Sequence, residues 1–234
     1  MSAEDGYATA AFGTLAFALA TIAAVLLALA HSEYRHATRA AARAEEAARL
    51  EGGLVLAADT VMREEQTFSL SWTAELDGRR AVFLAEPEGL KAAADNAETI
   101  APELVAELAG RGGVGPTPGG DSSLGARRRL FVNRSDSPLW RHCAPTFFSS
   151  LSASPELSAR PPVPPVGGAI NWRPGEIWRL VVYTEGRGAD AIVRFTGDPA
   201  QPMAILDTRI EAMNAPDPTR CYQRLQEVKA NEVH

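Results

Sequence analysis

Cysteine, histidine and tryptophan are all scarce: the 234 residues contain two, four and four of them, and the 23 lysines and arginines are outnumbered by 29 aspartates and glutamates. Each scarcity removes a class of function. A formal charge of -6 argues against a nucleic-acid-binding face, which needs clustered basic residues interleaved with aromatics. The one basic run, Arg127-Arg128-Arg129, is too short to supply such a face and reads as a solvated segment. Cys143 and Cys221 form no Cys-x-x-Cys pair, so a zinc ribbon is excluded. They are left as a disulfide across a long loop or as two separate buried thiols. His31, His36, His142 and His234 stand at no metal-ligand spacing from one another or from a carboxylate pair.

Catalytic motifs are equally sparse. Neither Gly-x-Ser-x-Gly nor His-Glu-x-x-His occurs. The glycine-rich run from Gly110 to Pro116 lacks the Gly-Lys-Ser/Thr that a phosphate cradle requires, and reads as a loop. His142 and Cys143 are adjacent, whereas a working Cys/His dyad normally joins residues distant in sequence. The residues therefore point to a protein that is not an enzyme, with no catalytic residue, metal or cofactor.

Charge and proline are also missing from Tyr7 to Ala30. As a helix, about 24 residues extend roughly 36 Å, enough for a hydrocarbon core of about 30 Å. Phe12, Leu15, Phe17, Leu19, Ile22, Val25, Leu26, Leu27 and Leu29 supply most of the driving force among many alanines. A cleaved signal peptide is the competing reading. Against it stand a leader without lysine or arginine, an apolar run longer than a usual signal core, and the lack of a small-x-small cleavage site.

The helical pattern continues past Ala30, because Ala37, Ala41, Ala44 and Ala48 recur at helical spacing and no proline occurs before Pro87. An apolar stripe of Leu50, Leu54, Ala57 or Ala58, and Val61 then requires a packing partner. Gly52-Gly53 predicts a kink or break. Farther on, the period falls to two. Phe68, Leu70, Trp72, Ala74 and Leu76 alternate with polar residues, and Asp77-Gly78 predicts a tight hairpin to Ala81–Leu84. Thr99 to Ala109 and Leu139 to Leu151 read as helices, Arg128 to Asn133 as a short strand, and Pro161 to Pro165 as an extended linker. Glu176–Thr184, Ala189–Thr196 and Met203–Ile210 read as an antiparallel meander, and the tail from Ala215 as poorly ordered except where a bridge through Cys221 pins it.

The expected fold is α+β, with a long N-terminal helix, membrane-spanning and then amphipathic, packed on a small antiparallel sheet. Its divisions are a leader (1–6), a transmembrane helix (7–30) and an amphipathic extension (31–66). A body with a hairpin and short helices (67–160), a proline-rich linker (161–175) and a strand meander with its tail (176–234) complete it.

A polar leader ending at Gly6, an aromatic start at Tyr7 and a membrane helix that runs on as an amphipathic one together resemble type IV pilin-like proteins. Within that group the chain is similar to the K-class minor pseudopilins of type II secretion systems. Ala11 stands where most pilins carry a helix-assembly glutamate. The segment from Val82 to Lys91 with nearby Asn96, the strand Gly175 to Arg179, and Arg194 to Pro199 before the last strand carry the likeness further. Two departures accompany it: acidic Glu4 and Asp5 in a leader that is usually basic, and a helical insert reduced to Thr99–Leu108 and Leu139–Leu151.

The resemblance implies cleavage between Gly6 and Tyr7 by a prepilin peptidase, methylation of the new terminus, and an inner-membrane anchor. It also implies assembly through N-terminal helices with I-class and J-class minor pseudopilins, in contact with membrane lipid and not with nucleic acid. Arg35, Arg39 and Arg43 follow the span, so the positive-inside rule alone would leave the body in the cytoplasm. The resemblance places it in the periplasm. The alternative is an unprocessed single-pass envelope protein that scaffolds or tethers partners.

Overall fold

The computed structural model describes residues 3–63, 71–115, 123–157, 172–198 and 200–231, with side chains from Phe12 onward. Contacts divide the chain into two compact units, Met1–Ala48 and Arg49–His234. Helix α1 (Ala3–Arg63) supplies all the described residues of the first and enters the second. The rest of the second unit runs β1 (Ser71–Leu76), β2 (Arg79–Pro87), β3 (Ala92–Ala93), α2 (Ala97–Ile100), α3 (Pro102–Ala109), α4 (Leu124–Val132) and α5 (Pro138–Phe147). Then follow β4 (Phe148–Ser149), β5 (Ile177–Thr184), β6 (Arg187–Asp198), β7 (Gln201–Ala212) and α6 (Pro218–Asn231).

The sheet has the order β1-β2-β5-β6-β7 and every neighbouring pair is antiparallel. Asp77 and Gly78 both adopt positive φ, 51° and 72°, which is the backbone that a two-residue hairpin turn needs. Glu185 and Gly186 repeat the device between β5 and β6, with φ of 44° and 89°. The sequence placed that turn at Gly186–Gly188, whereas Gly188 already pairs in β6.

Strand alternation sorts the side chains onto two faces. Ala81, Phe83, Ala85, Trp178, Leu180, Val182, Ala189, Ala191, Val193 and Phe195 form one apolar face, and Leu50, Leu54, Ala57, Ala58 and Val61 of α1 pack onto it. The expected stripe is thus buried, each large side chain contributing about 1.5–3 kcal/mol. The second face meets the helical layer. There Leu104, Val105, Leu108, Phe131, Trp140, Phe147, Phe148, Tyr222 and Leu225 form a separate core with a small parallel pair, β3 and β4.

Four expectations are corrected. The division into packing units about the proline run does not hold, because β2 before it pairs with β5 after it, Val82 opposite Tyr183 through Pro87 opposite Trp178. Pro161–Pro165 themselves lie outside the described residues. Arg128–Asn133 is not a strand but the end of α4: Ser123 caps its first turn, arginine favours helix, and buried Arg128, Phe131 and Val132 fall at i, i+3 and i+4. The tail from Ala215 contains α6, capped where the Asp217 carboxylate accepts from the Arg220 N–H at 3.0 Å. Together these helices make the helical layer larger than the two segments anticipated.

The fourth concerns Gly52-Gly53, where α1 continues unbroken. The two glycines differ in surroundings. A Cβ on Gly53 would lie 2.8 Å from Val182 Cγ1 and 3.0 Å from Leu76 Cδ2, while one on Gly52 would meet nothing within 4 Å. Gly53 therefore lets the helix approach the sheet closely, at a site where β-branched Val182 has little freedom to move. Gly52→Ala should stabilise the protein by up to about 1 kcal/mol through helix propensity. Gly53→Ala should instead destabilise it by about 1–3 kcal/mol through overpacking, and urea unfolding of the two variants checks the opposite signs.

Candidate functional site

Two surfaces stand out, one in each unit. In the first, the part of α1 from Phe12 onward is long and apolar enough to cross a membrane, the one such span among the described residues. Its large side chains are uncovered: Phe12 is 75% exposed and Leu27 73%. A soluble core helix would bury them. Gly6, Tyr7 and Ala11 lie on the same helix, which begins at Ala3 and shows no break at Gly6, but their side chains are outside the described residues.

The second surface is built on the charged side of the sheet. Cross-strand register sets Glu86 opposite Arg179 and Asp190 opposite Arg209, so oppositely charged residues face each other directly. Asp190 is 2% exposed. It accepts from Arg179 Nε at 3.0 Å and Nη2 at 3.1 Å, from Arg209 Nη2 at 3.1 Å, and from Arg128 Nη2, which α4 brings across from the helical layer. Arg128 Nη1 also donates to Asp207 at 3.1 Å. Glu86 accepts from Arg179 Nη1 at 3.3 Å and from Lys91 Nζ at 2.9 Å. Lys91 further donates to Glu88 and to the Pro145 carbonyl at 2.7 Å, and Ser149 Oγ donates to Glu88.

The network sets Lys91, Arg128, Arg179 and Arg209 against Glu86, Glu88, Asp190 and Asp207, with the more exposed Glu211 3.9 Å from Arg209 at its edge. Burial by itself would raise the Asp190 pKa, but Arg128, Arg179 and Arg209 outweigh it and hold the carboxyl far below the usual range. Arg179 is the mirror case, its guanidinium disfavoured by burial and stabilised past its ordinary value by Asp190 and Glu86. Asp190 and Arg179, held in one charge state, are suited to cross-linking layers and not to exchanging protons near neutral pH.

Beside the network opens a cleft of about 390 Å³, lined by Arg129, Asn133, Arg141, His142, Arg209 and Asp217 among others. Burial lowers the His142 pKa, Asp217 opposes that, and Arg179 and Arg220 reinforce it, so its surroundings favour the uncharged ring. Next to it the two cysteines form a disulfide, with Cα atoms 5.4 Å apart and a sequence separation of 78. This joins α5 to α6, and for a loop of that length the chain-entropy model gives roughly 4–5 kcal/mol. Ligand atoms of His142, Cys143 and Cys221 lie within 4.8 Å of one another, but both sulfurs are committed to the bridge and offer no thiolate to a metal or a substrate.

Of the residues singled out from sequence, the structure brings together Cys143 and Cys221 and leaves Gly6, Tyr7 and Ala11 as helical backbone positions. Reasoning from sequence missed the ion network. Its signal lay in segments already quoted for the resemblance, since Glu86, Glu88 and Lys91 belong to Val82–Lys91 and Arg179 ends Gly175–Arg179. Cross-strand register, which the sequence does not give, puts Glu86, Arg179 and Asp190 on one face, and their partner Arg128 came from a segment misread as a strand. None of the family models, curated proteins or solved structures compared with the chain matches it.

Removing one member of a buried charge network leaves its partners uncompensated. Asp190→Asn should lower the unfolding free energy by about 3–5 kcal/mol in urea titrations followed by tryptophan fluorescence. A loss within about 1 kcal/mol would mean that the arginines find water instead.

Proposed function

We propose that this chain is a non-enzymatic, membrane-anchored assembly protein of the type IV pilin-like group, a minor pseudopilin of a type II secretion apparatus. The observation that carries the reading is α1: its exposed apolar segment suits a bilayer and neighbouring helices, while Leu50–Val61 of the same helix packs on an antiparallel sheet. Alanine-rich faces around Gly13, where a Cβ would meet nothing within 4 Å, suit close approach of another helix.

In this reading the anchor sits in the inner membrane and the body in the periplasm. The Cys143–Cys221 bridge supports that orientation, since such bonds persist in oxidising compartments. The I-class and J-class minor pseudopilins are the partners, met through their N-terminal helices, and Ala11 replaces the charged assembly position. A prepilin peptidase acts between Gly6 and Tyr7, and the new amine is methylated.

A second reading, an unprocessed single-pass envelope scaffold, is favoured by acidic Glu4 and Asp5 in the leader. Co-expression with a prepilin peptidase separates the two. Intact-mass measurement should find a chain beginning at Tyr7, and a terminus still at Met1 or Ser2 would support the scaffold.

A further inference from the structure

Arg35, Arg39 and Arg43 succeed one another at i, i+4 and i+8 on α1, immediately after the apolar segment. All three are exposed, and none of their guanidinium groups has a hydrogen bond or ion pair among the described residues. Positions four apart drift by only about 40° around a helix, so the three make one ladder. Glu33 falls roughly 160° from Arg35 on the far side of the helix. Glu45 and Glu46 lie farther from the span and have partners of their own. Met1 to Gly6, before the span, contain no lysine or arginine.

The distances favour lipid. With a rise of 1.5 Å per residue, Arg35, Arg39 and Arg43 stand about 7, 13 and 19 Å beyond Ala30. The headgroup layer occupies roughly 5–7 Å outside the hydrocarbon core. Cα–Cβ bonds in a helix tilt toward its N-terminus, which here is the membrane side, so the long arginine side chains lean back toward that layer. Arg35 thus reaches phosphate directly and Arg39 by extending its stem. Arg43, its Cα about 12 Å outside that layer and so beyond one Debye length of about 8–10 Å, acts only through the screened field. Tyr34, 68% exposed beside Arg35, is the residue type that settles at this depth.

We propose that Arg35 and Arg39, backed by Arg43, form a binding site for the headgroups of anionic phospholipids. This rests on the membrane-anchor reading, and the experiment separates the two. The full chain is first floated with vesicles of phosphatidylcholine alone; failure to float overturns the anchor and the proposal with it. The detergent-solubilised chain is then titrated with phosphatidylglycerol or phosphatidylcholine and followed by native mass spectrometry, with inorganic phosphate as competitor.

Preferential retention of phosphatidylglycerol is expected. It should weaken about fivefold in Arg35→Ala, less in Arg39→Ala and least in Arg43→Ala, and largely survive in Arg35→Lys. Alanine preserves the helix, so a loss of binding is not a loss of fold. Equal retention of the two lipids by a chain that floats overturns the site and leaves the anchor standing. A preference that persists in the triple alanine variant, or that inorganic phosphate abolishes, also overturns it.

Discussion

Apolar side chains that the protein itself leaves uncovered must be covered by something else. Phe12, Leu15, Phe17, Leu19, Ile22, Val25, Leu26, Leu27 and Leu29 are each 57–75% exposed along one helix. Leaving that surface in water costs on the order of 10 kcal/mol, comparable to the whole stability of a domain. Isolated exposed leucines are ordinary on a protein surface, but a continuous uncharged run of this length is not. A bilayer satisfies the run because the helix hydrogen-bonds its own backbone.

The second unit solves the opposite problem, a sheet with both faces covered. One face presents a continuous apolar cluster and takes the Leu50–Val61 stripe of α1. The other carries Glu86, Arg179 and Asp190, and these are tolerated because α4 delivers Arg128, and the connection from β2 to β3 delivers Lys91, to the same place. The pairing is directional in a way that greasy contacts are not. Several hydrogen bonds converging on one carboxylate fix how the helical layer sits on the strands, and the disulfide fixes α6 against α5 within that layer.

How much of this was legible depends on the range of the signal. Period 3.6 located the stripe Leu50, Leu54, Ala57, Ala58 and Val61, and period 2 with Asp77-Gly78 located the first hairpin, because both are local patterns. Gly52-Gly53 does not break the helix, and what Gly53 does there is nonlocal: Val182, distant in sequence, occupies the space that Gly53 leaves open. Arg127–Arg129 looked like a solvated run, yet Arg128 is buried against Asp190, a partner that only the assembled fold supplies. In α6 the cue was present in Asp217-Pro218 followed by Cys221, Tyr222 and Leu225 at helical spacing, but the neighbouring prolines obscured it.

The account stands or falls on the apolar part of α1 being a membrane anchor. Membranes from cells expressing the full chain, and a version lacking residues 7–30, should be extracted with carbonate and separated by flotation. The full chain should remain with the lipid fraction and need detergent for release, and the shortened one should stay in the aqueous phase. A full chain that is soluble without detergent, or a shortened one that floats equally well, would contradict the account.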